Sequence, residues 1–428
     1  MTTERTTKPA TSRFVPERLE GLEASGLRAE FVSDLVLKTI YVYTTITPRE
    51  MMGILKLPFA GVIEPALKRL VDLELAFIRG GLGPLIYEYA LTENGPLRAR
   101  EVMARSPYVG PAPVTLADYR RAVQSDTVRR LIVQREDLER AFAHLIIEPS
   151  MLDRLGPAIN SGQSIFLFGP SGNGKTVIAE AIMHMLSGHV WVPHAVLAGN
   201  DVISVYDPNF HQAQMGSDNG DPLRYDARWV QSRRPIVEVG GELTLAGLDL
   251  SWSEEGKYYQ APFQMRANGG AFLIDDFGRQ LVSPRELLNR WIVPLEKRVD
   301  YLTLRTGTKV EVPFDELILF STNIDPKELV DEAFLRRIRF KVPVDNPTPD
   351  QFRRIFATLC ERARIPYNDQ AVCYLLNTVY PRLGVSPRSV HPRDLIEQIY
   401  AAALFEGTPP VISPDTLDRA SQRYFVTL

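Results

Sequence analysis

Apolar positions in the first hundred residues recur at helical spacing. Phe31, Leu35, Val36, Thr39 and Ile40 share one stripe, which predicts a helix. The stretch "TPRE" then reads as a helix start, with Thr47 as N-cap, Pro48 in the first turn and Glu50 closing a capping box. A third helix is predicted from about Phe59, with Val62, Ala66 and Leu70 on one face. In "LAFIRGGLGPLIYEYALT" the period changes to two. Tyr87, Tyr89 and Leu91 alternate onto one face, so two strands around a Gly-rich turn are expected. Prolines in "YVGPAPVTL", from Tyr108, suggest a linker. From about Ala141 apolar strand patterns alternate with amphipathic helices, as in a parallel α/β sheet. Beyond Pro349 the pattern is helical to Leu428.

The strongest chemical signal lies in "SIFLFGPSGNGKTVIAEAI". Ser164–Phe168 is a buried-strand pattern, and Val177, Ile178, Ala181 and Ile182 give the following helix an apolar face. Between them Gly169, Pro170, Ser171, Gly172, Asn173, Gly174, Lys175 and Thr176 spell G-x-x-x-x-G-K-T. Glycines let backbone N–H groups turn toward a phosphate, and the helix N-terminus adds partial positive charge. Lys175 is placed to reach the β- and γ-phosphates, and Thr176 to offer a hydroxyl to Mg²⁺. This pattern predicts a phosphate loop that binds ATP with Mg²⁺.

"GGAFLIDDFGR" ends an apolar strand in Asp275 and Asp276. It resembles the second acidic element of P-loop enzymes, which implies that Asp275 supports Mg²⁺. The region resembles the AAA+ ATPases, whose next acid orients the attacking water and is usually glutamate. Here it is Asp276, shorter by a methylene, and Asp276→Glu is expected to keep or raise turnover. "ELILFSTNID" resembles the sensor-1 strand, making Asn323 a water or γ-phosphate contact. "DEAFLRRIRFKVPV" offers Arg336 and Arg337 as the arginine finger that acts on a neighbouring subunit. "SVHPRDLIEQI" resembles sensor 2, with Arg393 as the lid contact.

"YLTLRTGTKVEVPF" alternates around a turn, like the pre-sensor-1 hairpin, and "PIVEVGGELTLAGLDL" reads as another hairpin. Both point to the branch that holds MoxR-type ATPases and magnesium chelatase subunits. By family analogy the adenine lies against "AHLIIEP". "YDPNFHQ" reads as a turn with a packed aromatic in preference to a substrate-gripping loop.

Composition changes this picture little. The chain has 428 residues, 45% hydrophobic and 24% charged, with a net charge of −3, so nothing advertises nucleic acid or an anionic membrane. No apolar run spans a bilayer, so no membrane insertion is expected. The first residues lack a signal-peptide stretch, and two cysteines fit a reducing compartment, so a cytoplasmic location is expected.

The expected organisation is an α/β P-loop (AAA+) core with a parallel sheet and flanking domains. A flexible tail over 1–28 precedes a winged-helix-like domain over 29–107 and a linker over 108–135. The nucleotide-binding core covers 136–346 and a helical lid 347–428. The winged-helix resemblance rests on three helices followed by a hairpin. Its recognition-helix start, "PFAGVIEP", is apolar, and residues 1–110 hold 14 basic and 13 acidic side chains. DNA readers place polar or basic groups there, so a protein adaptor is favoured over DNA binding. The resemblance implies a homo-oligomeric ring, hexameric by analogy, that remodels a protein substrate. Two alternatives stay open: an ATP-controlled DNA-binding regulator, and a nucleotide-operated scaffold with little hydrolysis.

Overall fold

A computed structural model describes residues 13–80, 83, 85–214, 224–329 and 335–425. The chain divides into two compact units, neither contiguous in sequence. One comprises residues 1–131, 186–272 and 289–317, the other residues 132–185, 273–288 and 318–428. Among the described residues no helix is long and apolar enough to cross a membrane.

In the first unit the helix Ala29–Tyr43 buries Leu35, Val36, Thr39 and Ile40 of the predicted stripe, with Val32 beside them, while Phe31 is half-buried. Thr47 caps Pro48–Leu55 through both bonds of a capping box, and Lys56 closes that helix in the left-handed conformation. The third helix starts later than the apolar pattern suggests. Phe59–Ile63 is an irregular turn with Gly61 at φ 77, and regular helix runs over Glu64–Asp72. A Cβ on Gly61 would lie 2.8 Å from the Glu20 carbonyl oxygen, so glycine is required there. Ala76–Gly80 and Glu88–Leu91 pair antiparallel, and Thr45–Ile46 adds to the other side of Glu88–Leu91. The hairpin's Gly81, Leu82 and Pro84 lie outside the described residues.

Of the expected tail, residues 1–12 lie outside the described residues, whereas Leu19 and Leu27 are buried. Tyr108, Ala112 and Val114 of the proline-rich stretch are buried too, and Val114–Thr115 pairs parallel with Ala195–Ala198. A buried ion pair staples these segments. Arg228 is bonded to Asp226 at 2.7 Å and donates through Nη1 to the carbonyls of Ser25 and Pro113 at 2.9 Å each.

The predicted hairpin at "YLTLRTGTKVEVPF" is present as Val299–Thr303 paired with Lys309–Pro313. "PIVEVGGELTLAGLDL" is not a hairpin. Ile236–Val239 is a strand, but Thr244 then caps a 3-10 turn over Leu245–Leu248. The antiparallel pair lies further on, Ser251–Ser253 with Tyr258–Gln260. In "YDPNFHQ" residues Asp207–Phe210 form a turn, with Tyr206 stacked on the buried His211.

The second unit holds the central strands of the parallel sheet. Ile165–Phe168 is flanked by Leu317–Thr322 on one side and Phe340–Pro343 on the other, both parallel to it. Ala271–Ile274 neighbours Leu317–Thr322 on its far side. Every residue of Leu317–Thr322 is buried, as befits an inner strand of a covered sheet. Helices from Pro349–Ala363 to Pro414–Tyr424 follow, packed around Phe352, Phe356, Leu375, Tyr380, Leu395 and Leu417.

Candidate nucleotide-binding site

In open α/β sheets, ligands bind outside the carboxyl ends of the strands. Here three strands end together in chemically useful residues. Ile165–Phe168 delivers Gly169, Ala271–Ile274 delivers Asp275, and Leu317–Thr322 delivers Asn323. The loop from Gly169 leads into the helix Lys175–Met185. Gly172 sits at φ +81, which lets the chain turn tightly enough to aim N–H groups inward.

Lys175 is 7% exposed, and its Nζ donates to the carbonyls of Gly169 and Pro170 at 2.9 Å each. The ammonium is thus held within the loop it would serve. Burial draws its pKa below the ordinary lysine value. Asp276 and Asp275 pull the other way, and Arg388 adds to the lowering. Both carboxylates and Arg388 therefore lie within electrostatic reach of Lys175.

Thr176 Oγ1 donates to Asp275 Oδ2 at 2.9 Å. The other oxygen, Asp275 Oδ1, is buried with no hydrogen-bond partner, and so is Asn323 Oδ1. Buried polar atoms are ordinarily satisfied, so these two orphans at the strand ends are acceptors open to a ligand. The donor set is hard oxygen, a hydroxyl beside a carboxylate, which fits Mg²⁺. Among the described residues no cluster of three or more His, Cys, Asp or Glu is arranged for a metal.

Asp276 is exposed and adopts φ 47. Aspartate enters the left-handed region more readily than most side chains, so the shorter acid suits this turn, where the resemblance implies Glu. Gln280, which the motif gave no reason to single out, holds the turn. Its Nε2 donates to the carbonyls of Asp275 and Asp276 at 2.8 and 3.2 Å, and its Oε1 accepts from Gly278 N at 2.8 Å. Phe277 N donates to Ser321 O at 2.7 Å, and Thr322 Oγ1 to Phe277 O at 2.6 Å. The acidic turn and the Asn323 strand are therefore locked together.

Beside the loop lies a cavity of about 680 Å³ lined by Ile146, Ile147, Met151, Val177 and Leu359 among others. Its size is that of a small-molecule pocket, and its apolar wall includes the "AHLIIEP" segment from His144 to Glu148. Arg393 lines the same cavity, with its guanidinium bonded to Asp394 at 3.0 Å. Arg388, which no sequence motif marks, also lies beside the phosphate loop: its Cδ is 3.8 Å from where a Gly172 Cβ would sit. Arg336 is exposed and Arg337 half-buried, in the turn before Phe340–Pro343. Residues 331–334 of that motif lie outside the described residues.

A family profile described as a domain of unknown function (DUF8689) matches residues 348–423, the helical segment after the sheet. The vesicular-fusion protein SEC18 of Saccharomyces cerevisiae is 26% identical over 216 residues, 50% of this chain and 23% of SEC18. The chain thus spans less than a quarter of that relative's length. Among solved structures, NtrX from Brucella abortus in complex with ADP is similar over 65% of this chain and 56% of its own, at 18% identity and a TM-score of 0.39. A mutant of RuvB from Thermotoga maritima is similar over 67% of this chain and 72% of its own, at 12% identity and a TM-score of 0.38. The chain therefore shares a stretch of sequence with SEC18, on a fold whose parallel sheet carries the G-x-x-x-x-G-K-T loop at the carboxyl end of one strand.

Proposed function

We propose that this chain is a Mg²⁺-dependent AAA+ ATPase that assembles into a homo-oligomeric ring and uses hydrolysis to remodel a protein partner, as in the MoxR-like branch. The observation that carries this reading is the Thr176–Asp275 bond with the unpartnered Asp275 Oδ1 beside it, at the mouth of a G-x-x-x-x-G-K-T loop. Lys175 leaves its two carbonyl partners to hold β- and γ-phosphate oxygens. Thr176 and Asp275 would hold Mg²⁺, which when bound supplies charge neutralisation on the phosphates. Asp276 and Asn323 orient the attacking water, and Gln280 keeps the Asp276 turn in place. Arg336 or Arg337 reaches a neighbouring subunit's site, while Arg388 and Arg393 face the nucleotide from the helical segment.

The N-terminal helices and hairpin act, in this reading, as a winged-helix-like adaptor for protein. Exposed Phe77, Ile78, Leu73 and Leu97 favour an apolar partner over a duplex. The exposed, left-handed Asp276 favours a second reading, a scaffold that binds ATP and hydrolyses it slowly.

Calorimetric titration with ATP and Mg²⁺ tests the binding claim. Wild type binds with one site per chain, and Lys175→Ala loses at least tenfold in affinity. Equal affinity in the two proteins would remove the phosphate-loop assignment.

A further inference from the structure

We propose that Asn173 is a positioning residue that latches the helical segment after the sheet onto the phosphate loop and passes loop occupancy to it. Asn173 is 6% exposed, and its side chain has a partner at each end. Its Oδ1 accepts from the Ser389 backbone amide at 3.1 Å, and its Nδ2 donates to Asn346 Oδ1 at 2.8 Å. A backbone amide only donates, so the side-chain oxygen must face Ser389 and the NH₂ must face Asn346. One residue over, Val390 N donates to Gly172 O at 2.8 Å.

One anchor point lies at the entry of the helical segment and the other within it. Asn346 lies between the strand Phe340–Pro343 and the helix Pro349–Ala363, where the chain enters that segment. Ser389 and Val390 immediately precede the helix His391–Glu406. The turn that carries them is pinned within the segment, since His391 Nδ1 accepts from Arg388 N at 3.3 Å and pairs with Tyr380 Oη at 3.2 Å. A single loop side chain therefore ties down both the entry and a later turn of the segment. Phosphate binding acts on the inward N–H groups of the loop, and the latch holds the outward groups of Gly172 and Asn173. Movement at one face is delivered to the other. Aspartate at this position keeps the acceptor and lacks the donor; alanine lacks both.

The coupling half of this proposal rests on the nucleotide reading above, whereas the latch itself exists without nucleotide. Hydrogen exchange of the full chain separates them. In nucleotide-free protein, Asn346→Ala and Asn173→Ala raise exchange at Ser389 and Val390 by about five- to tenfold, as loss of a hydrogen bond predicts. Asn346→Asp keeps an acceptor for Asn173 Nδ2 and stays at the wild-type rate. A merely space-filling role would not separate Asn346→Asp from Asn346→Ala. With ADP and Mg²⁺ as the probe, residues 389–406 change protection in wild type and in Asn346→Asp, and the change is lost in Asn346→Ala. Equal exchange in Asn346→Ala and wild type overturns the latch. An ADP-induced change that survives in Asn346→Ala overturns the coupling. If ADP fails to bind wild type, the nucleotide reading falls, and the nucleotide-free arm still decides the latch.

Discussion

Thr176 Oγ1 and Asp275 Oδ2 lie 2.9 Å apart, joining the first turn of the phosphate-loop helix to the end of a neighbouring strand. Asp275 Oδ1, on the same carboxylate, is buried and unpartnered. The pair offers the hard-oxygen donors that the proposed Mg²⁺ would take, one carboxylate oxygen bonded to the hydroxyl and the other without a partner. Asp275→Ala should therefore remove the metal-dependent part of ADP affinity, about tenfold or more, and leave binding in chelator unchanged. Titration of ADP with and without Mg²⁺ reads this directly. An undiminished Mg²⁺ effect in the variant would count against the assignment.

Asp276 alters an expectation drawn from sequence. Glutamate at that position matches the AAA+ pattern, and on that ground Asp276→Glu should keep or raise turnover. The backbone at φ 47 argues otherwise: the left-handed region costs an L-residue about 1–2 kcal/mol through its Cβ, and aspartate's short polar side chain offsets part of that cost where glutamate's does not. Asp276→Glu should lower both the unfolding midpoint and turnover. Asp276→Asn tolerates the same backbone, so it should fold normally and lose about 10²–10⁴-fold in turnover if the carboxylate acts on the water. Steady-state hydrolysis beside thermal unfolding distinguishes the two effects.

Lys38 gives the first unit a pH signature. It is 5% exposed, donates to the Ser106 carbonyl at 2.9 Å, and burial lowers its pKa from 10.5 to about 8, partly opposed by Asp34. Between pH 8 and 10.5 the unfolded chain holds a proton that the folded chain has released. Stability rises with pH wherever the unfolded state binds more protons, so this group's penalty is full below pH 8 and fades up to 10.5. The relief is about 3 kcal/mol in all. Urea unfolding of wild type against Lys38→Met should show the difference between them shifting in favour of wild type across that window. A constant difference would refute the buried-charge account.

Asp226→Ala should cost about 3–5 kcal/mol, since it strands the Arg228 guanidinium in the core of the first unit. Removing Arg228 as well, by Asp226→Ala with Arg228→Met, should restore part of that loss. Chemical denaturation of the two variants gives the comparison.

Local grammar made much of this protein legible. The phosphate loop is contiguous, so Gly169 to Thr176 could be read as one unit, and the Thr47–Glu50 capping box spans four residues. The hairpin over 299–313 was visible because its alternation is unbroken on both sides of a turn. Alternation misled at "PIVEVGGELTLAGLDL", where the apolar positions feed a strand and then a 3-10 turn instead of two paired strands. Gln280 and Asn346 left no sequence signal, since a polar residue in a turn looks ordinary until its partners are known. Arg388 was hidden by its neighbour. Arg393 fits the sensor pattern, yet Arg388 too lies beside the loop, two residues before Val390, whose N–H is bonded to the Gly172 carbonyl.

The central claim is that these residues make an ATPase whose sites are completed between subunits. The most direct measurement is ATP hydrolysis per chain as protein concentration rises, with Lys175→Ala as the blank. If sites are completed between subunits, specific activity climbs from near zero to a plateau, and Arg336→Ala with Arg337→Ala abolishes it while ATP still binds. Hydrolysis at the blank's rate at every concentration, in protein that binds ATP, would contradict it.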